Sequence, residues 1–193
     1  MRKLVLTLFI IMGTLSARAQ SLLETLNASL AAMGDYQVEV SVAMGDTTTE
    51  GSYAVSGQNF YMRLFSTDYY HIDGVMYEVN TECKEIVVDY YRWIDGNEIV
   101  SNPANIFNVL ARDYNQTEVT VDGRKTVKLV ARNGNGDSII VIADHSGKLP
   151  SQIIYLDEQL PMVVTLKSIK RIDSTIATFD KEKYPGFELI DMR

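Results

Sequence analysis

Short segments of alternating apolar and polar residues follow one another from residue 36 almost to the C-terminus, and this pattern constrains the fold more than any other feature. Alternation with a period of two predicts β-strands that bury one face. Asp-Gly, Asn-Gly and related pairs separate many of the segments, as they do in antiparallel hairpins. We predict strands at residues 36–43, 47–56, 59–66, 69–72, 75–80, 84–91, 117–121, 125–132, 138–144, 151–157, 162–172 and 176–179.

Two segments carry helical signals instead. The first, residues 21–33, opens with a capping box of Ser21 and Glu24. The second opens with Asn102 as N-cap and Pro103 at the first helical position. Apolar residues then share one helical face in each segment: Leu22, Leu26, Leu30 and Met33 in the first, and Ile106, Phe107, Leu110 and Tyr114 in the second.

About eleven strands and two helices predict an α+β fold. The even spacing of the strands and their turn residues favour one strongly curved antiparallel sheet whose concave face the helices cover. No repeat, linker or low-complexity segment divides residues 20–193. We therefore predict that they form a single domain.

The first 19 residues have the pattern of a cleaved signal peptide. Arg2 and Lys3 precede an apolar run over residues 4–15, and Ala17 and Ala19 supply the small residues of a cleavage site. No cysteine follows the run, so we expect a product that begins at Gln20 and carries no lipid anchor. The prediction is a soluble, exported protein.

The charge balance excludes some partners. Residues 1–19 hold three of the 18 basic residues and none of the 25 acidic ones, so the chain from Gln20 has a formal charge of −10. A surface this acidic gains no electrostatic attraction from nucleic acid or from anionic membranes. Cys83 is the single cysteine, which leaves no intramolecular disulfide, and we interpret it as a packed side chain on a strand.

Motifs for catalysis are missing from the sequence. His71 and His145 are the two histidines, and no nucleophile elbow, zinc motif or phosphate-binding glycine loop accompanies them. We therefore predict no enzyme activity, no cofactor and no metal. A His–carboxylate–Ser arrangement around His71 remains as a third hypothesis.

The apolar side chains exceed what one thin helix would cover. They lie on several strands: Phe60, Met62, Leu64, Val75, Tyr77, Val79, Ile140, Ile142, Ile154 and Leu156. In one interpretation two helices and the sheet make an ordinary core. In the other, the helices form a removable lid over a cavity for acyl chains. The residues alone give these two interpretations equal weight.

The order of these elements resembles the LolA-type periplasmic carriers of outer-membrane lipoproteins and their divergent relatives. The resemblance covers nearly the whole chain after residue 19. It rests on the leucine-bearing first helix, the glycine-bearing strand before Asn59 and Phe60, the hairpin segment 73–80 (DGVMYEVN), the helix segment 102–111 (NPANIFNVLA) and the ending over residues 179–191.

The resemblance implies an open half-barrel of about eleven strands and a specific function. Such a protein would be a monomeric chaperone that takes acylated lipoproteins from an inner-membrane lipoprotein-release transporter to an outer-membrane acceptor. The family has an arginine at the place where this chain has Gly57 and Gln58. The latch that this arginine provides must therefore be built differently here.

We expect the acyl-binding surface to consist of Phe60, Met62, Leu64, Tyr77, Phe107 and Leu110. Phe60 matches an aromatic residue of the family, and Tyr77 stands where the family has an inner-face tryptophan. The alternative is a protein that binds another lipid or amphiphile of the cell envelope.

Overall fold

The fold is known from a computed structural model, which describes residues 20–91, 103, 105–132, 138–156, 161–173 and 175–193. Within these residues the chain has two α-helices, α1 (Leu22–Met33) and α2 (Ile106–Asp113), and a short 3-10 helix, Lys181–Lys183. The strands are β1 (Tyr36–Met44), β2 (Thr47–Ser56), β3 (Asn59–Leu64), β4 (Thr67–Ile72), β5 (Val75–Asn80), β6 (Glu85–Tyr90), β7 (Tyr114–Val121), β8 (Arg124–Ala131), β9 (Ser138–Ala143), β10 (Pro150–Leu156), β11 (Met162–Arg171) and β12 (Glu188–Asp191).

All of these strands belong to one curved, open sheet. Its order is β12-β6-β5-β4-β3-β2-β1-β11-β10-β9-β8-β7, so β12 and β7 form the two edges. Neighbouring strands pair antiparallel except for β12, which runs parallel to β6. We call the face that carries α1 and α2 the inner face and the opposite face the outer face. The α+β architecture predicted from the sequence, a curved antiparallel sheet with helices on it, is confirmed.

The inner face and the two helices form the main hydrophobic core. In α1, Ser21 and Glu24 form the predicted capping box, and the buried leucines of the helix face the sheet. Full burial of each such side chain stabilises the fold by about 1.5–3 kcal/mol. Gly51 allows β2 and β3 to pack closely, because a Cβ there would lie 2.8 Å from the Arg63 carbonyl oxygen.

A second core lies on the outer face of β4, β5 and β6. Tyr70, Val79, Ile86 and Val88 are its buried residues, and the C-terminal segment packs over them. Three aromatic side chains of that segment make the contact: Phe179, Tyr184 and Phe187. The chain end therefore covers one end of the outer face before it adds β12 to the sheet edge.

A buried carboxylate ties the C-terminal segment to the sheet. Asp68 accepts two hydrogen bonds from Arg63, at 2.6 and 2.9 Å, and one each from the hydroxyls of Tyr61 and Tyr184. The Tyr184 hydroxyl also lies 2.6 Å from the hydroxyl of Tyr70. Burial by itself raises the pKa of Asp68, but these hydrogen bonds outweigh it and hold the pKa below its usual value.

The structure differs from the sequence prediction at Cys83 and near the ends of two elements. Cys83, expected as a packed side chain on a strand, is exposed in the turn between β5 and β6. Tyr114 begins β7 rather than closing α2, since the helix ends at Asp113. The segment 176–179 is not a strand, because Phe179 packs on the outer core instead of pairing, and the last strand is β12. The proposed N-cap Asn102 lies outside the described residues, as do residues 1–19, and Asn105 occupies the N-cap position of α2.

We predict that Asp68→Asn destabilises the protein at neutral pH by about 1.5–3 kcal/mol, as expected for lost hydrogen bonds to a charged group. Because folding lowers the pKa of Asp68, its stabilising effect is present above the usual value of 3.8 and is lost as the pH falls through the lowered pKa. Urea unfolding of the wild type and the variant should therefore differ at neutral pH and converge in acid.

Asp191→Asn provides a matched control, because Asp191 pairs with Arg193 at the exposed chain end. Exposed pairs of this kind contribute little to stability. Equal destabilisation by the two variants at neutral pH would contradict the role of the buried network.

Candidate functional site

Five of the six residues predicted to contact acyl chains lie together between the helices and the inner face. Phe60, Met62 and Leu64 are buried on β3, and Phe107 and Leu110 are buried on α2. They belong to one core with the leucines of α1. Phe60, Met62, Leu64 and Leu110 pack against other protein atoms in this conformation, whereas Phe107 also borders a cavity.

Tyr77 does not share this surface, and its placement there is corrected. Phe60 on β3 pairs with His71 on β4, and His71 pairs with Met76 on β5, so these three side chains share the inner face. Tyr77 follows Met76 in the strand and therefore points to the outer face. Its ring stacks on Phe179 with the centroids 4.2 Å apart. Tyr77 is thus part of the outer core beneath the C-terminal segment.

A cavity of about 340 Å³ lies beside the C-terminal end of α1. Leu30 and Ala31 of α1 border it on one side and Phe107 of α2 on another, while Tyr36 and Val55 belong to the sheet. Burial raises the pKa of Tyr36 to about 12, so its hydroxyl stays neutral at physiological pH. The remaining lining residues are Asn27, Gly34, Asp35, Gly57, Pro103 and Ile106.

A second, much smaller void of about 10 Å³ lies deeper on the inner face. Val40, Tyr53, Ile153, Val164 and Leu166 of the sheet line it. Pro103, Ile106 and Phe107 border both spaces and therefore separate them. Pro103, expected at the first helical position, precedes α2, which begins at Ile106.

Polar contacts between α1 and the sheet are sparse. Among the described residues, one hydrogen bond joins α1 to a strand: the Leu22 amide donates to Glu118 Oε1 on β7, at 2.5 Å. The carboxylate also lies at the positive end of the helix dipole. Apolar packing makes up the other contacts of α1, and such packing is non-directional and can be exchanged for a lipid.

The turn that replaces the family's arginine has a different function here. Gly57 adopts a φ of +59° in the β2–β3 turn and lines the larger cavity. The carbonyl of Gln58 lies 2.9 Å from Nδ1 of His71. Glu118, which no sequence motif marks, supplies the tie to a helix.

His71 packs as an aromatic side chain of the inner face. Its ring stacks on Phe60 with the centroids 5.2 Å apart and lies against Tyr91. Burial lowers its pKa, so the ring is neutral, and Nδ1 can donate its proton to the Gln58 carbonyl. His145, the other histidine, is exposed in the turn between β9 and β10.

Two kinds of feature are absent from the described residues. These residues contain no group of three or more histidine, cysteine, aspartate or glutamate side chains with the geometry of a metal site. No helix within the same residues has the length and apolar character needed to span a bilayer.

Comparisons with known proteins bear on the fold. No family model and no curated protein sequence matches the chain. An uncharacterized conserved protein from Thermus thermophilus has a similar structure, with a TM-score of 0.56 and 12% identity over 90% of this chain and 98% of that one. This likeness shows a shared fold.

Two further solved structures match with lower scores. A LolA superfamily protein from Nitrosomonas europaea has a TM-score of 0.42 and 10% identity over 86% of this chain and 96% of its own. An outer membrane lipoprotein-sorting protein domain from Vibrio parahaemolyticus has a TM-score of 0.41 and 8% identity, with 84% and 95% covered. The architecture itself, an open curved sheet with two helices on its inner face, agrees with the open half-barrel that the sequence resemblance implies.

We predict that Glu118→Ala loosens α1 without unfolding the sheet. The substitution removes the acceptor for the Leu22 amide, and the loss of such a cap costs about 1 kcal/mol. Hydrogen exchange should accelerate in α1 and stay unchanged in β1 to β6. Thr120→Ala on the same face of β7 is the control, and equal acceleration in both variants would show that Glu118 has no specific role.

Proposed function

We propose that the protein is a carrier of lipids or acylated lipoproteins that binds acyl chains between its two helices and the inner face of its sheet. The observation that carries the proposal is the cavity between α1, α2 and the sheet, which continues toward a second void behind Phe107. A ligand here would replace protein–protein apolar contacts with protein–lipid contacts. No covalent step is needed.

The volume of the cavity indicates how loading would proceed. At about 340 Å³ it lies at the lower end of the range of small-molecule pockets, roughly 300–1,000 Å³. That space suits part of one acyl chain, whereas a triacylated lipoprotein needs considerably more. Larger cargo therefore requires α2 to move away from β1 and β2, which exposes Phe60, Met62 and Leu64 to the ligand.

The energetics favour such an exchange. Each buried methylene contributes about 0.8 kcal/mol, so the acyl chains of a lipoprotein offset the apolar contacts that the helices lose. Release is then downhill if the acceptor offers a more favourable apolar site. In this proposal an inner-membrane lipoprotein-release transporter supplies the cargo and an outer-membrane acceptor receives it.

The same proposal places the protein in the periplasm. Residues 1–19 would direct export and be removed, and residues 20–193 would act as one monomeric carrier domain. One solved structure of similar fold, from Vibrio parahaemolyticus, bears the name of an outer membrane lipoprotein-sorting protein domain.

A second candidate is a carrier of a single-chain amphiphile such as a fatty acid. The present size of the cavity favours it, because one chain needs no large helix movement. Asn27 in the cavity lining offers an amide donor for a carboxylate headgroup, whereas Asp35 in the same lining favours an uncharged or cationic headgroup.

A release assay distinguishes the two candidates. The chain from Gln20 is added to spheroplasts that bear a triacylated lipoprotein, and the supernatant is tested for a one-to-one complex. Native mass spectrometry of the purified protein then detects any co-purifying lipid. A complex supports the lipoprotein carrier, lipid without a complex supports the amphiphile carrier, and neither result contradicts both.

We predict that Ala31→Trp reduces ligand binding by filling the cavity. Ala31 is exposed near the end of α1 and borders the cavity, so an indole side chain can enter it without disturbing the core. Binding of a fluorescent fatty acid should fall at least tenfold, while the free energy of unfolding changes by about 0.5 kcal/mol or less.

Ala28→Trp is the matched control, since Ala28 is exposed on the same helix and does not line the cavity. Its fatty-acid affinity should equal that of the wild type. If Ala31→Trp binds as tightly as Ala28→Trp, the ligand does not occupy this cavity.

A further inference from the structure

The outer face of the sheet carries an exposed apolar surface at the end opposite to the C-terminal segment. The strand pairing aligns four outer-face side chains in one row across β8 to β11: Lys128, Ile140, Ile154 and Val163. Branched residues of neighbouring rows extend it. We call the apolar members the outer patch: Val119, Val121, Val130, Ile140, Ile142, Ile154, Leu156 and Val163.

The outer patch is accessible to solvent. The exposed fraction is 46% for Val119, 50% for Val121 and 41% for Leu156. At the other end of the same face, the C-terminal segment packs over the apolar residues of β4 to β6. No described residue does the same for the outer patch. An open sheet face of this character is typical of an interaction site.

The charges on this part of the face have one sign. Arg124 and Lys128 point outward on β8, opposite Val121 and Thr117 of β7. In the described parts of β7 to β10, no acidic residue points to the outer face, because Glu118 points inward to α1 and Asp122 lies in the hairpin turn. A local basic surface therefore exists on a chain whose net charge is −7.

The size of the outer patch argues against pairing with a second copy. With strands about 4.8 Å apart and residues about 3.3 Å apart, the patch covers about 400 Å². A stable protein interface needs about 800 Å² from each partner.

We propose that the outer patch binds the surface of an anionic phospholipid bilayer. Arg124 and Lys128 would lie at the headgroups, and Val119 and Val121, at the sheet edge, would enter the boundary between headgroups and acyl chains. The remaining acidic surface keeps this contact weak and reversible. This site lies on the face opposite to the cargo cavity and goes beyond the proposed carrier function.

The test is co-sedimentation of the chain from Gln20 with vesicles. Vesicles of mixed phosphatidylglycerol and phosphatidylcholine should bind it at low ionic strength, and vesicles of phosphatidylcholine alone should not. Because each basic residue near an anionic surface contributes about 1 kcal/mol, Arg124→Gln combined with Lys128→Gln should weaken binding roughly 30-fold. Lys181→Gln combined with Lys183→Gln changes the charge equally at the other end of the outer face and should have no such effect.

A labelled cysteine tests the orientation. An environment-sensitive dye at Val121→Cys, in a Cys83→Ser background, should shift to the blue on binding to the anionic vesicles. The same dye on the native Cys83, which is exposed in the turn between β5 and β6, should not shift.

Several outcomes would overturn the proposal. They are no binding to anionic vesicles, equal loss in the two double variants, or a blue shift at Cys83 rather than at position 121. A concentration-dependent dimer that Val121→Ser abolishes would assign the outer patch to a second copy. Fatty-acid binding is measured separately, so failure here leaves the cargo proposal intact.

Discussion

An open sheet of twelve strands has two faces, and the whole structure depends on how each face is kept from water. Successive side chains along a strand point to opposite faces of the sheet. A strand with apolar residues at both odd and even positions must therefore be covered on both faces. In this protein α1 and α2 cover the inner face and the C-terminal segment covers one end of the outer face. Each of these covers has a different chemical basis.

The cover on the outer face is held by directional bonds. The buried Asp68 carboxylate joins Arg63, Tyr61 and Tyr184 in one network, and stacked aromatic rings fill the space beside it. Such a network fixes one geometry, because removal of any partner leaves buried polar groups unpaired. The C-terminal segment is therefore a permanent part of the fold.

The cover on the inner face is held mostly by apolar packing. Between α1 and the sheet, the described residues show one hydrogen bond, from Leu22 to Glu118, and the cavity beside Leu30 leaves part of the interface unfilled. Apolar contacts can be exchanged for contacts with another apolar molecule at little cost in free energy. Under the proposed carrier function, this difference would allow the helices to open while the outer side remains intact.

The sequence by itself determined the elements whose signals are local. The strands Thr47–Ser56 and Val75–Asn80 and the capping box of Ser21 begin and end where the turn and cap residues predict, because these signals act within a few residues. Five of six predicted binding residues also lie in one core, because three of them alternate along the single strand β3 and the other two share the buried face of α2.

Only the tertiary structure decided which face of the sheet each set of alternating side chains occupies. The alternation is as clear at Val75, Tyr77 and Val79 as it is on β3. The hairpin registers nevertheless place these three side chains on the outer face, beneath the C-terminal segment, whereas Phe60, Met62 and Leu64 lie on the inner face. The tie between Glu118 and α1 and the parallel pairing of β12 join residues far apart in sequence. Period-two alternation distinguishes two faces of a strand, but the choice between them depends on registers and coverings that form only when distant segments meet.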